Sequence, residues 1–138
     1  MYKGNFFAFI IFIIFSLNVC SGETMYKQTI AIDLDGVLDN YTKYEEGMIP
    51  PVKKGAKEFV KELYDKNYKL ILFTNRSPMH ATKWLVENRL DKYFSDVTNV
   101  KPTASIYIDD RAIIFRGDYK EAIKEVENFK PWWKEKDK

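Results

Sequence analysis

The chain has 138 residues, 46% of them hydrophobic and 16% aromatic, which is enough apolar material for one folded domain and excludes an intrinsically disordered chain. Its 22 basic and 20 acidic residues leave a net charge of +2, with no charged run of the kind that indicates stable nucleic-acid binding. The single cysteine, Cys20, excludes an internal disulfide.

Residues 1–24 differ from the rest of the chain, because one lysine is followed by an apolar run and then by small and polar residues. This layout is typical of a secretory signal peptide, or of a lipoprotein leader ending at Cys20, and the apolar run is short for a membrane-spanning helix. Alternatively, translation begins at Met25. We expect an exported or membrane-associated protein in the first case and a cytoplasmic one in the second.

Residues 25–130 show the pattern of a folded core, followed by a tail over 131–138. The apolar run 29–34 predicts a buried strand, and "YKLILFTN" predicts a second strand that ends at Thr74. Between them, a helix is predicted after Pro50 and Pro51 and before Asn67, with one apolar face. That face consists of Val52, Ala56, Phe59, Val60, Leu63 and Tyr64.

The second half of the core repeats this alternation. Ser77 and Pro78 mark the start of a helix that ends near Leu90. The segment "SIYID" predicts a buried strand, while "DVTNV" before it and "AIIF" after it are possible further strands. Asp118 and Glu121 form a capping box for a final helix. The inner face of that helix would consist of Tyr119, Ala122, Ile123 and Val126.

Strands that alternate with helices predict an α/β fold, namely a doubly wound, Rossmann-like and mostly parallel sheet of about five strands with helices on both faces. In such sheets the functional site lies at the carboxyl ends of the strands. The polar residues follow this rule. Asp33 and Asp35 come after the first strand, Thr74 closes the second, and Asp109 and Asp110 follow "SIYI".

Carboxylates that meet at one sheet edge repel one another unless a cation lies among them. Oxygen ligands without a neighbouring histidine or thiol suit Mg²⁺, and Mg²⁺ in turn favours phosphate. A phosphoryl group also needs an ammonium and a hydroxyl donor, for which Lys101 and Thr74 are the candidates. The sequence therefore predicts a magnesium and phosphate site.

Four motifs in this order resemble those of the haloacid dehalogenase superfamily: "DLDGV", "FTNR", "KP" and "YIDDRA". The stretch "TNVKPTASIYIDDRAIIFRGD" is most similar to its small, stand-alone phosphatase-like members. The resemblance covers residues 28–128. It implies a phosphohydrolase that acts on a phosphate monoester through an aspartyl-phosphate intermediate.

Carried over by position, the resemblance makes Asp33 the nucleophile and Asp35 the general acid and base. It implies that Mg²⁺ is held by Asp33, the backbone carbonyl of Asp35 and Asp109, with Asp110 a direct or water-mediated ligand. The phosphoryl group would be bound by Thr74, Asn75 and Lys101. Arg76 and Arg111 adjoin the motifs and would either contact the substrate or form structural ion pairs.

Members of this superfamily usually gain specificity from an inserted cap domain, but residues 39–51 leave room only for a flap and residues 77–100 for one helix and a short strand. We therefore expect no cap domain. An open site suits either a phosphorylated macromolecular end group or a small substrate that a second subunit of a homo-oligomer encloses.

Two alternatives stay open: a phosphoacceptor of the signalling-receiver kind, and a metal-binding signalling module without catalysis. Receivers place the adjacent acids first, whereas this chain places Asp-x-Asp first and the adjacent pair last. Outside the motifs, Asp39 is interpreted as a turn residue and His80 as a surface residue. The pattern does not decide between a packed tail and a contact surface for "PWW" at 131–133.

Overall fold

The computed structural model of the chain describes residues 25–137, so the predictions made for residues 1–24 lie outside the described part. Within residues 25–137, no helix combines the length and the apolar character needed to cross a bilayer.

The described chain forms a four-stranded sheet with three α-helices. The strands are β1 (Thr29–Ile32), β2 (Lys69–Phe73), β3 (Phe94–Thr98) and β4 (Ile106–Ile108), and the helices are α1 (Ala56–Asp65), α2 (Pro78–Glu87) and α3 (Tyr119–Asn128). Short 3-10 helices cover Asp91–Tyr93 and Trp132–Asp137. The strand order is β3-β2-β1-β4 and every pairing is parallel. The predicted α/β, Rossmann-like class is therefore confirmed.

The core lies where α1 and α2 cover the sheet. Ile30 and Ile32 of β1 stand in register with Leu70 and Leu72 of β2, and these side chains are buried together. Because residues two apart along a strand share one face, the four residues form a continuous apolar surface. The helices pack on it through Ala56, Val60, Ala81, Trp84 and Leu85. Because β1 lies between β2 and β4, its carboxyl end is flanked by the carboxyl ends of both neighbouring strands.

Two helices and two strands differ from the predictions. The segment "SIYID" was predicted to be a buried strand, but β4 lies at the edge of the sheet and its Ile106 and Tyr107 are exposed. The first helix begins at Ala56, because Val52 instead pairs with Asp39 in an isolated antiparallel bridge. The segment "AIIF" at 112–115 forms no strand, so the sheet has four strands and not about five.

The last helix has the predicted cap, since Asp118 accepts hydrogen bonds from the backbone amides of Lys120 and Glu121. Its predicted inner face is not buried, however: Tyr119, Ile123 and Val126 are all exposed, and α3 contributes no buried residue.

Candidate functional site

Each predicted carboxylate or hydroxyl lies just beyond the end of a strand. The backbone amide of Asp33 donates to the carbonyl of Ile108 at 2.8 Å, which fixes the residue between β1 and β4. The amide of Thr74 donates to the carbonyl of Thr98 at 3.0 Å. Asp109 directly follows β4. The parallel register thus brings these three strand ends to one edge, as predicted.

Three of these acids form a group that we call the acidic triad: Asp33, Asp109 and Asp110. One carboxylate oxygen from each lies within 4.8 Å of the others, which is close enough to share one cation. Asp33 accepts a hydrogen bond from the amide of Leu34 at 2.8 Å, and Asp109 accepts one from the amide of Arg111 at 2.7 Å. These bonds fix two of the three carboxylates beside their own strands.

Asp110 gives a separate indication of a ligand. Its side chain is only 1% exposed, and its Oδ1 accepts no hydrogen bond within the described chain. The guanidinium Nε of Arg111 lies 3.6 Å from this oxygen, so the two residues form an ion pair, but the distance is too long for a hydrogen bond. A buried carboxylate oxygen without a donor is unfavourable, and a bound cation would remove the penalty. The all-oxygen donor set of the triad fits a hard divalent cation such as Mg²⁺.

The electrostatics of the triad agree with this fit. Burial, followed by repulsion from Asp109, Asp110 and Asp35, raises the pKa of Asp33 to about 7. Burial also raises the pKa of Asp110. Both shifts mean that the folded protein disfavours the ionised forms of Asp33 and Asp110, which a divalent cation would reverse.

Asp35 has a different environment, although only one residue separates it from Asp33. Nε of Arg76 lies 3.0 Å from both carboxylate oxygens of Asp35, and both side chains are largely buried. The same guanidinium donates through Nη1 to the carbonyls of Met48 at 2.8 Å and Glu45 at 3.3 Å. Arg76 therefore ties the Asp-x-Asp turn to the flap, residues 39–51. Of the two roles considered for Arg76, the structure shows the ion pair.

Asp39 closes the turn that carries Asp35. It is fully buried, and its Oδ1 accepts hydrogen bonds from the amides of Gly36 at 2.8 Å and Tyr41 at 3.0 Å. Burial and the nearby charge of Asp35 raise the pKa of Asp39. This arrangement agrees with the interpretation of Asp39 as a turn residue.

A cavity of about 220 Å³ opens beside the triad. Its lining contains Asp33, Asp35, Phe73, Thr74, Asn75, Asp109 and Arg111. Thr74 is buried, and its hydroxyl oxygen accepts a hydrogen bond from the amide of Arg76 at 3.2 Å. The hydroxyl proton is thus left for another acceptor. The cavity has room for a phosphoryl group and presents a hydroxyl, an amide and a guanidinium towards it.

Lys101 does not line this cavity. It is exposed in the loop between β3 and β4, with Nζ 4.9 Å from the ring centre of Tyr107. Its contact with a phosphoryl group stays a prediction. His80 is exposed, as expected, and borders a second cavity of about 250 Å³ that shares Asn75 with the first.

The tail supplies two contacts that the sequence analysis did not assign. The indole N–H of Trp133 donates to Oδ2 of Asp110, and that of Trp132 donates to the carbonyl of Gly36 at 3.0 Å. The rings of Tyr41 and Trp133 meet edge to face at 5.3 Å. The only sequence signal was the pair of adjacent tryptophans, whose large apolar rings favour packing over exposure.

Comparison with known proteins gives little beyond the fold. No model of a protein family matches the chain, and no curated protein does. A solved structure of a conserved protein from Bacteroides thetaiotaomicron is similar to 75% of this chain and to 92% of its own chain, with a TM-score of 0.51 and 22% sequence identity. At that identity the similarity shows a shared fold only.

Proposed function

We propose that the protein is a magnesium-dependent phosphohydrolase of the haloacid dehalogenase kind, which transfers the phosphoryl group of a monoester to Asp33 and then to water. The observation that carries the proposal is the acidic triad, in which a buried oxygen of Asp110 lacks a hydrogen bond. The order of the four motifs along the chain supports the same reaction.

Asp33, Asp109 and Asp110 are the residues that would hold the cation. A bound Mg²⁺ would supply positive charge that neutralises the carboxylates and polarises a phosphoryl oxygen. The chain's own contribution is to hold three oxygen ligands at the ends of two neighbouring strands. Because β1 and β4 pair directly, the relative position of their carboxyl ends is fixed.

Asp33 is the proposed nucleophile, and Thr74 is proposed to donate its hydroxyl proton to a phosphoryl oxygen. The attack forms a bond between a carboxylate oxygen of Asp33 and phosphorus while the ester oxygen departs. A protonated carboxyl is a poor nucleophile, so the raised pKa of Asp33 makes the reaction depend on the neutralising cation. Asn75 and Arg111 line the same cavity and would bind the remaining oxygens.

Asp35 is proposed to act on the proton of the leaving group and then on that of the attacking water. In the observed arrangement both oxygens of its carboxylate lie 3.0 Å from Nε of Arg76, which holds the group at the lining of the cavity. Protonation of a leaving group would require Asp35 to separate from Arg76. Because Arg76 also binds the flap carbonyls, we expect flap movement and this separation to be coupled.

The ion pair of Asp35 also favours a second candidate, a module that binds a cation and accepts a phosphoryl group without rapid turnover. The two candidates differ in the lifetime of phosphorylated Asp33. A phosphatase releases the phosphate quickly, whereas a receiver-like protein keeps it.

Hydrolysis of an aryl phosphate by the purified full-length chain tests the proposal. We expect activity with Mg²⁺, its loss in excess chelator and its return when Mg²⁺ is restored. The variant Asp33→Asn should be inactive, while Asp65→Asn, on the exposed surface of α1, should match the parent. Equal activity of the parent with and without chelator would refute the metal requirement.

A further inference from the structure

The tail folds back against the Asp-x-Asp turn and the acidic triad. Trp132 and Trp133 reach two different sites there, the backbone carbonyl of Gly36 and the carboxylate of Asp110. Gly36 is 96 residues away from its partner along the chain and Asp110 is 23 residues away. The tail is thus a long-range component of the site.

Asp110 and Trp133 pack closely around Gly36. Gly36 has a backbone φ of 80°, which favours glycine, and a Cβ added there would overlap Oδ2 of Asp110 and lie 3.2 Å from Cδ1 of Trp133. The carboxylate of Asp110 is therefore enclosed between the turn and the indole ring. Its orientation is set by these neighbours.

Each oxygen of Asp110 has a distinct neighbour. Oδ2 accepts the indole N–H of Trp133, whereas Oδ1 accepts no hydrogen bond and has the Arg111 guanidinium 3.6 Å away. The position of Trp133 is supported in turn by the ring of Tyr41, over which the Arg111 guanidinium lies at 4.8 Å. Oδ2 is thus hydrogen-bonded within the protein, whereas Oδ1 has no hydrogen-bond donor.

We propose that Trp133 is a positioning residue of the metal site. Its indole N–H holds Oδ2 of Asp110 and so fixes the carboxylate with the other oxygen available to a cation. Hydrogen bonds to the non-coordinating atoms of metal ligands orient those ligands and increase metal affinity. The inference rests on the proposed function only in assuming that the triad binds a divalent cation.

The test measures Mg²⁺ binding directly, by titration calorimetry on the full chain, without any substrate. Trp133→Phe keeps an aromatic ring beside Tyr41 and removes the N–H donor. We expect its dissociation constant for Mg²⁺ to rise by about 10-fold, within the range typical for loss of such a bond. Trp132→Phe is the matched control, because it loses an indole bond to a backbone carbonyl in the same turn. We expect less than a twofold change for it.

A second measurement needs no variant. In the NMR spectrum of the parent chain, the indole N–H resonance of Trp133 should shift on addition of Mg²⁺, while that of Trp84 should not. Trp84 donates instead to the carbonyl of Pro50.

The outcomes separate the inference from the proposed function. If the parent chain binds no Mg²⁺, the metal site itself is refuted. If the parent binds Mg²⁺ and Trp133→Phe binds it equally well or more tightly, the site stands and the positioning role of Trp133 is wrong. A Trp133 resonance that is insensitive to Mg²⁺ would contradict the inference in the same way.

Discussion

The raised pKa of Asp33 predicts that the metal-free protein loses stability as the pH rises. The folded protein holds the proton of Asp33 more tightly than the unfolded chain, whose carboxyl has the ordinary pKa of 3.8. Between the two pKa values the folded state binds more protons, so the free energy of unfolding falls with increasing pH. The loss begins near pH 4 and is complete above pH 7.

The size of the effect follows from the same two pKa values. A rise from 3.8 to about 7 corresponds to about 4 kcal/mol of stability as an upper limit. Asp33 is partly exposed and the solvent screens its charge, so we expect about 1–2 kcal/mol between pH 5 and pH 8. The variant Asp33→Asn carries no titrating group at this position and should not show this loss of stability between pH 5 and pH 8.

Urea unfolding of parent and variant at pH 5 and pH 8, in excess chelator, measures the difference. The parent should lose about 1–2 kcal/mol more than Asp33→Asn over this interval. The control Asp65→Asn should follow the parent. Addition of Mg²⁺ should restore the free energy of unfolding of the parent at pH 8, because the cation binds the ionised triad in the folded state. Equal pH dependence of parent and Asp33→Asn would refute the reasoning.

Three further predictions concern other parts of the molecule. Arg76→Ala leaves Asp35 buried without its partner and should lower the free energy of unfolding by about 3 kcal/mol, against less than about 1 kcal/mol for exposed Arg116→Ala, both measured by urea unfolding. Asp35→Asn, given an activated aryl phosphate, should accumulate a hydroxylamine-sensitive phosphate on Asp33, and mass spectrometry that maps the phosphate elsewhere would reject the assigned roles. A chain that begins at Met25 should melt at the same temperature as the longest soluble form, because β1 begins only at Thr29.

The strands and their ends could be predicted from sequence because they depend on local patterns. Short runs such as 29–32 and 69–73, separated by a helical pattern, predict neighbouring parallel strands, and the polar residues after them then share one edge of the sheet. The start of α1 was harder to predict. Val52 fits the helical spacing, but its bridge to Asp39 belongs to the flap, and this pairing has no periodic signal.

The contacts of the tail and of Arg76 could not be predicted for a related reason. Trp132 reaches Gly36, and Arg76 reaches Asp35, across separations of 96 and 41 residues. Neither contact leaves a pattern in a single sequence, because spacing along the chain reports only on neighbours within one helix or strand. The exposure of α3 could not be predicted for the same reason. An amphipathic pattern predicts that one face of a helix is buried, but it does not identify the surface against which that face packs.

Asp33 and Asp35 are chemically identical and only two positions apart, yet the fold gives them opposite neighbours. Asp33 lies among carboxylates, where its ionised form is disfavoured without a cation, while the carboxylate of Asp35 forms an ion pair with Arg76 at 3.0 Å. Pairs of acids whose environments differ in this way are suited to different catalytic roles. If a cation neutralises Asp33, the carboxylate of Asp35, which pairs with Arg76 instead, is left for the proposed proton transfer. The contrast between the two environments therefore supports the assignment of Asp33 as nucleophile and Asp35 as base, and it identifies Arg76 as the residue whose movement would let Asp35 act as an acid.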